Sequence, residues 1–219
     1  MVSENRHNLE NTLDKLEFDI LSGVLRPRER LVEFELINQY QVSRGTIRKV
    51  LRELHFKHLI EHYPNRGAVV AEPKKKEVKD IYHTRVLIET AAMDLVIHRI
   101  DEKTLERIVY YERTFADAVK EKNLGDIVTS NRLFHQTIFE RCGNDVISEM
   151  IDQLRKRSHV WQHYIVGHSK RMEKTIKEHK SMVNSIRKQD VSKLKKVNET
   201  HLTRGFQSYM EDLTVNHTT

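Results

Sequence analysis

Cysteine is almost absent from this chain: Cys142 stands alone in 219 residues. No intrachain disulfide can form, which points to a reducing, cytoplasmic setting. Hydrophobic runs are short, and none approaches the roughly 20 apolar residues a membrane span needs. The polar start, Met1 to Asn8, has no apolar stretch of the kind a secretory signal carries. A membrane role is therefore not expected. Proline and glycine are scarce, at 3 and 7 residues, and no proline follows Pro73. A long proline-free tail with apolar residues at helical spacing excludes a β-rich fold there.

Charge is plentiful, at 32% of residues, with a net +6. The excess does not sit evenly. Residues 1–73 hold 11 Lys+Arg and 11 Asp+Glu, so the remaining 27 basic and 21 acidic residues carry the whole +6. Bulk charge therefore says nothing about nucleic acid for the first third.

Turn residues concentrate in that first third. Tyr63-Pro64-Asn65-Arg66-Gly67 lies between Leu59-Ile60 and Ala68-Val69-Val70, a pattern that predicts a small β-hairpin. Glu72-Pro73-Lys74-Lys75-Lys76 then reads as a linker, dividing residues 1–73 from 74–219. Beyond it, breaks near Asp101, Asn123-Leu124-Gly125, Cys142-Gly143-Asn144, Gly167 and Gln189-Asp190 predict about six helices in an antiparallel bundle. The chain as a whole is expected to be mainly α.

Leu36 to His55 reads as two helices joined at Gln41-Val42-Ser43. Ser43 suits an N-cap, because its hydroxyl can accept a free backbone N–H of the first turn. Ile47, Leu51 and Leu54 then form an apolar stripe, while Arg44, Arg48 and Arg52 step by four on another face. A short turn followed by such a helix fits the major groove, where arginines reach guanine edges or phosphates. An ordinary amphipathic helix with a solvated arginine face has the same spacing. The hairpin favours DNA, since Asn65-Arg66-Gly67 at its tip would act as a wing.

At this point a resemblance enters. Leu21-Ser22-Gly23-Val24-Leu25-Arg26-Pro27, Glu29-Arg30-Leu31, Val42-Ser43-Arg44-Gly45-Thr46-Ile47-Arg48 and Pro64-Asn65-Arg66-Gly67 resemble, in order and spacing, the winged helix-turn-helix of the GntR family. The resemblance implies operator contacts at Ser43, Arg44, Thr46 and Arg48, with Arg66 and Gly67 in the wing; the arginine stripe and the added cation extend the candidate set to Arg52 and Lys49. Arg28 stands where the family usually has glycine, Gly45 where it has threonine, and Lys49 where it has glutamate. Phe34 replaces a DNA-contacting arginine of the fatty-acid-responsive members. The added cation at Lys49 predicts stronger nonspecific, salt-dependent binding.

In the second part, Asn131 and His135 are four residues apart on one helix face. His179 and His201 lie eleven residues to either side of Asp190, so an antiparallel pair of helices would bring them level. Three histidines and one oxygen donor suit Zn²⁺, or Ni²⁺ or Mn²⁺ with positions left open. Buried histidines bonded to neighbours would show the same spacing. Asn131 to His135, Gly143-Asn144, the segment from His179 to Asp190, and Arg85-Val86-Leu87-Ile88-Glu89 also resemble the helical FCD domain, in the six-helix VanR type of the FadR-like branch. That resemblance implies a divalent metal on Asn131, His135, His179 and His201, with asparagine where the family has aspartate. It implies a small carboxylate effector near the metal, anchored by Arg85, although Arg85 and Glu89 also have the spacing of a surface ion pair. Trp161, His163 and Tyr164 line that cavity or pack in the core.

The expected function is a homodimeric repressor or activator on a palindromic operator, controlled by the carboxylate. Three alternatives remain: the metal itself as signal, a long acyl thioester as effector without metal, or a metal-dependent hydrolase or lyase. The last lacks an H-E-x-x-H-like base and leaves the winged helix without a purpose.

Overall fold

The computed structural model describes residues 2–72, 74–159 and 169–216. These fall into two compact units with the boundary at residue 73. The first holds α1 (Val2–Leu21), β1 (Arg30–Leu31), α2 (Glu33–Tyr40), α3 (Arg44–Phe56), β2 (Ile60–Tyr63) and β3 (Gly67–Val70). The hairpin forms as its sequence predicts, with Ile60 opposite Val70 and Tyr63 opposite Gly67. Asn65 (φ 64°) and Gly67 (φ 73°) take the left-handed conformations that close the turn. The short β1 adds to the free side of β3, giving the antiparallel order β1-β3-β2.

Burial follows the apolar stripe. Ile47, Val50 and Leu54 of α3 are fully buried, together with Leu16 and Ile20 of α1 and Leu59 and Ile60 beside the wing. Each such side chain contributes on the order of 1.5–3 kcal/mol by leaving water. They hold α3 by one face and leave the opposite face outward.

The second unit holds α4 (Lys75–Val96), α5 (Glu102–Glu121), α6 (Leu124–Phe139), α7 (Asp145–His159), α8 (Ser169–Arg187) and α9 (Val191–Asn216). Six helices are thus present among the described residues. Gly167, Trp161, His163 and Tyr164 lie outside those residues. One device makes three of the turns: a left-handed residue followed by a capping Asn or Asp. The pairs are Lys122-Asn123, Gly143-Asn144 and Gln189-Asp190. Asn123 accepts from the Asp126 N–H at 3.2 Å, Asn144 from Ile147 at 3.1 Å and Asp190 from Lys193 at 2.9 Å. A Cβ at Gly143 would also sit 2.6 Å from Nε of Arg99, a flexible exposed side chain that could move aside. Met93, Val96, Ile108, Phe134, Ile138, Met182, Ile186 and Leu194 form the core between these helices. No described helix is long and apolar enough to cross a membrane.

Candidate DNA-reading face and candidate metal centre

The first site is the outer face of α3. Ser43 caps the helix as expected, accepting the Thr46 N–H at 3.1 Å. Arg44, Arg48, Lys49 and Arg52 are exposed, as are Arg66 and Gly67 at the wing tip. Thr46 departs from the expected contact set. It is 5% exposed, and its hydroxyl lies 2.9 Å from that of Ser43, so it braces the helix start instead of facing outward. Phe34 at the start of α2 is 71% exposed. An exposed phenyl at that point can meet thymine methyl groups where an arginine would seek guanine.

Glu33 completes this face, and no local pattern in the sequence announces it. Its carboxylate accepts from Nε of Arg44 at 3.1 Å and from Nε of Arg48 at 3.0 Å. Partial burial raises the Glu33 pKa, but the bonds to Arg48 and Arg44 outweigh it and hold the group below the usual carboxylate range. Glu33 is eleven residues from Arg44, so only the angle between α2 and α3 brings them together.

The second site lies inside the bundle. His135 (α6), His179 (α8) and His201 (α9) bring one ring nitrogen each to within 4.8 Å of the others. The ring of His179 stacks on Phe134 with centroids 4.2 Å apart and lies 4.9 Å from the tilted ring of Phe115. These phenyl groups fix its rotamer. His135 and His179 are fully buried, and none of their four ring nitrogens has a hydrogen-bond partner among the described residues. Burial, reinforced by neighbouring cations, holds both rings well below their ordinary pKa. They are neutral at neutral pH and present lone pairs.

His201 differs. Its Nδ1 lies 2.8 Å from Oε2 of Glu178, which fixes Nδ1 as the protonated nitrogen and leaves Nε2 as the donor. Burial lowers the His201 pKa and the Glu178 pair raises it, with the lowering prevailing. Glu178 is itself held by Arg204 at 2.7 Å; despite its burial, the bonds to His201 and the cations keep its pKa at about 2.

Asn131 stands one turn before His135 on α6, half-buried. A second asparagine was not foreseen. Asn198 lies three residues before His201 on α9, is fully buried, and has neither amide atom paired among the described residues. An unpaired buried polar group costs about 1–3 kcal/mol. Such a group is commonly one that faces a ligand or ion.

Arg85 is 2% exposed, so the expected surface ion pair with Glu89 is in fact a buried one. Its Nε donates to Glu89 at 2.8 Å and its Nη1 to Ser158 at the same distance. Arg155 of α7, also unforeseen, donates to the other Glu89 oxygen at 2.7 Å. One carboxylate thus lies between two buried guanidiniums, leaving one positive charge in excess beside the histidines. No unbroken local pattern announces this cluster, since its members come from α4 and α7.

Two family models match the chain: bacterial regulatory proteins of the gntR family over residues 9–70, and the FCD domain over residues 80–204. An uncharacterized HTH-type transcriptional regulator of Bacillus subtilis, YdhC, is 25% identical over 207 residues, covering 93% of this chain and 88% of its own. The galactonate operon transcriptional repressor of Escherichia coli is 26% identical over 179 residues, covering 72% of this chain and 77% of its own. The solved structure of E. coli McbR/YncC superposes with a TM-score of 0.84 at 19% identity, over 94% of this chain and 98% of that one. At that identity the likeness is one of fold.

Proposed function

The chain belongs to the gntR family of bacterial regulatory proteins and carries an FCD domain behind its winged helix; it is a DNA-binding transcription regulator and not an enzyme, and on that premise we propose that a small carboxylate, held at a divalent metal in the helical domain, sets its affinity for operator DNA. The observation that carries this reading is the set of four buried ring nitrogens without partners on His135 and His179. Neutral imidazoles gathered within 4.8 Å fit a divalent cation, and the carboxylate–imidazole pair at Glu178 and His201 has the form that orients a ligating histidine. His135, His179 and His201 would hold the ion, with an amide oxygen from Asn131. A divalent ion bound there supplies open coordination positions for carboxylate oxygens.

Charge supports the choice of effector. With neutral ligands only, the ion brings two positive charges, and Arg85 and Arg155 against Glu89 add one more. An anion entering this site is stabilised more than a neutral molecule of the same shape. Arg85 and Arg155 serve as a cationic wall, kept in place by Glu89 and Ser158.

Two copies acting together would present two α3 helices to a palindromic operator. Repression is the proposed direction, by analogy with the galactonate operon repressor. A ligand that prefers one dimer arrangement over another by about 1–3 kcal/mol is enough for control.

The test has two arms. Elemental analysis of His179→Ala/His201→Ala should find no bound metal, and retained stoichiometric metal would refute the ligand set. Operator binding should then be titrated with a panel of small carboxylates at fixed metal, and with metal alone. A response to metal alone makes the ion the signal; no response to either ends the reading.

A further inference from the structure

The second unit carries the whole net charge of the chain, and the centre above uses little of it. Much of the remainder gathers elsewhere, around a cleft of about 490 Å³ between α5 and α8. Val109, Ala116 and Val183 give it an apolar lining, and Arg113, Lys180 and Arg187 stand exposed along it. Among these is Glu112. It is 6% exposed, and its Oε1 is fully enclosed with no hydrogen-bond partner among the described residues. Lys180, Arg113 and Arg187 all bear electrostatically on this carboxyl, yet none forms an ion pair with it. Lys120 and Asp117, also in the cleft wall, satisfy each other at 2.9 Å.

These features describe a ligand in outline. Three cations with no ion-pair partner among the described residues stand against one carboxylate and leave two positive charges, and the Glu112 side chain in the cleft wall can accept from a donor. The volume lies in the range that takes one small molecule. A strand of nucleic acid would need a longer, more open track.

We propose that this cleft is a second ligand site, for a small phosphate ester bearing hydroxyl groups, such as a phosphorylated sugar. The phosphate, with close to two negative charges, meets Arg113, Lys180 and Arg187. A hydroxyl donates to the carboxylate of Glu112 where that side chain lines the cleft, and the carbon skeleton lies on Val109, Ala116 and Val183. The site is independent of the histidine centre and stands whether or not a metal is bound there.

Isothermal titration of the full chain with glucose 6-phosphate, inorganic phosphate and glucose tests this. Glucose 6-phosphate should bind saturably, more tightly than inorganic phosphate, and free glucose should not bind. Lys180→Ala/Arg187→Ala should weaken binding about tenfold or more, as expected when charged hydrogen bonds are lost. Glu112→Gln should reduce the preference for the ester over inorganic phosphate, and His135→Gln/His179→Gln should leave binding unchanged. Absence of saturation overturns the proposal, as does equal binding by the Lys180→Ala/Arg187→Ala protein. So does a shift of that variant to a smaller assembly in light scattering, which would make the cleft a contact between copies.

Discussion

Acidifying the metal-free protein from about pH 7 to about pH 5.5 should weaken the helical domain, and two histidines set the amount. His135 and His179 are fully buried with unpaired nitrogens, and burial first, then nearby cations, holds their pKa well below 6.5. In the unfolded chain each ring titrates near 6.5. Between those values the unfolded state binds more protons than the folded one, so stability falls as pH falls. At about pH 5.5 an unfolded histidine gains roughly 1.4 kcal/mol from protonation, against roughly 0.2 kcal/mol at pH 7. Two rings that stay neutral in the fold therefore remove up to about 2.5 kcal/mol, and His201 acts in the same direction. Glu178, with its pKa at about 2, contributes stability that is lost as pH falls from about 5 towards 2, below this window. The assay is urea unfolding followed by circular dichroism after chelation, at both pH values, for the wild type and His135→Gln/His179→Gln. The wild type should lose more than the variant by that amount. Equal losses would refute the account, as would a wild type indifferent to pH.

Three further outcomes follow from named contacts. Arg48→Ala should cost about 1–3 kcal/mol of specific operator binding by fluorescence anisotropy, and an unchanged affinity would take α3 out of the groove. Glu178→Gln should lower metal affinity about 10–100-fold in a chelator competition, because the orienting carboxylate of His201 is lost; an unchanged affinity would make Glu178 merely structural. Arg28→Gly should raise thermal stability by up to about 1 kcal/mol, since Arg28 adopts a left-handed φ of 68° that costs a non-glycine residue. A loss instead would mean that its ion pair with Glu72 outweighs the strain.

Arg28 also illustrates what sequence can reveal. The family's usual glycine there marked a departure, and the positive φ gives its physical reason. Local devices were legible in the same way: the Ser43 cap, the Tyr63–Gly67 turn, and the helix breaks at Asn123, Gly143 and Asp190 depend on residues a few positions apart. The histidine cluster was legible because two of its members straddle one turn symmetrically, with His201 facing His179 across Asp190. Glu33, Arg155, Asn198 and Glu178 were not. Each acquires its role from how one helix packs against another, and a polar residue on a helix carries no mark of the face it will bury. Arg85 and Glu89 show the limit most clearly: their spacing predicted the pair, but only the packing of other helices on α4 places that pair out of water.

The Glu33 clasp bears on how this regulator searches DNA. Arg44 and Arg48 do not approach a phosphate as two free cations; with Glu33 between them, the group advances as a single net charge. Fewer condensed counterions are displaced per molecule than the arginine count suggests, so affinity for random sequence should depend less steeply on salt. That offsets the extra cation at Lys49. A guanine edge, unlike a phosphate, can bind each guanidinium without driving the carboxylate away. If Arg44 and Arg48 contact DNA as proposed, Glu33 would weaken binding to random sequence more than to the operator.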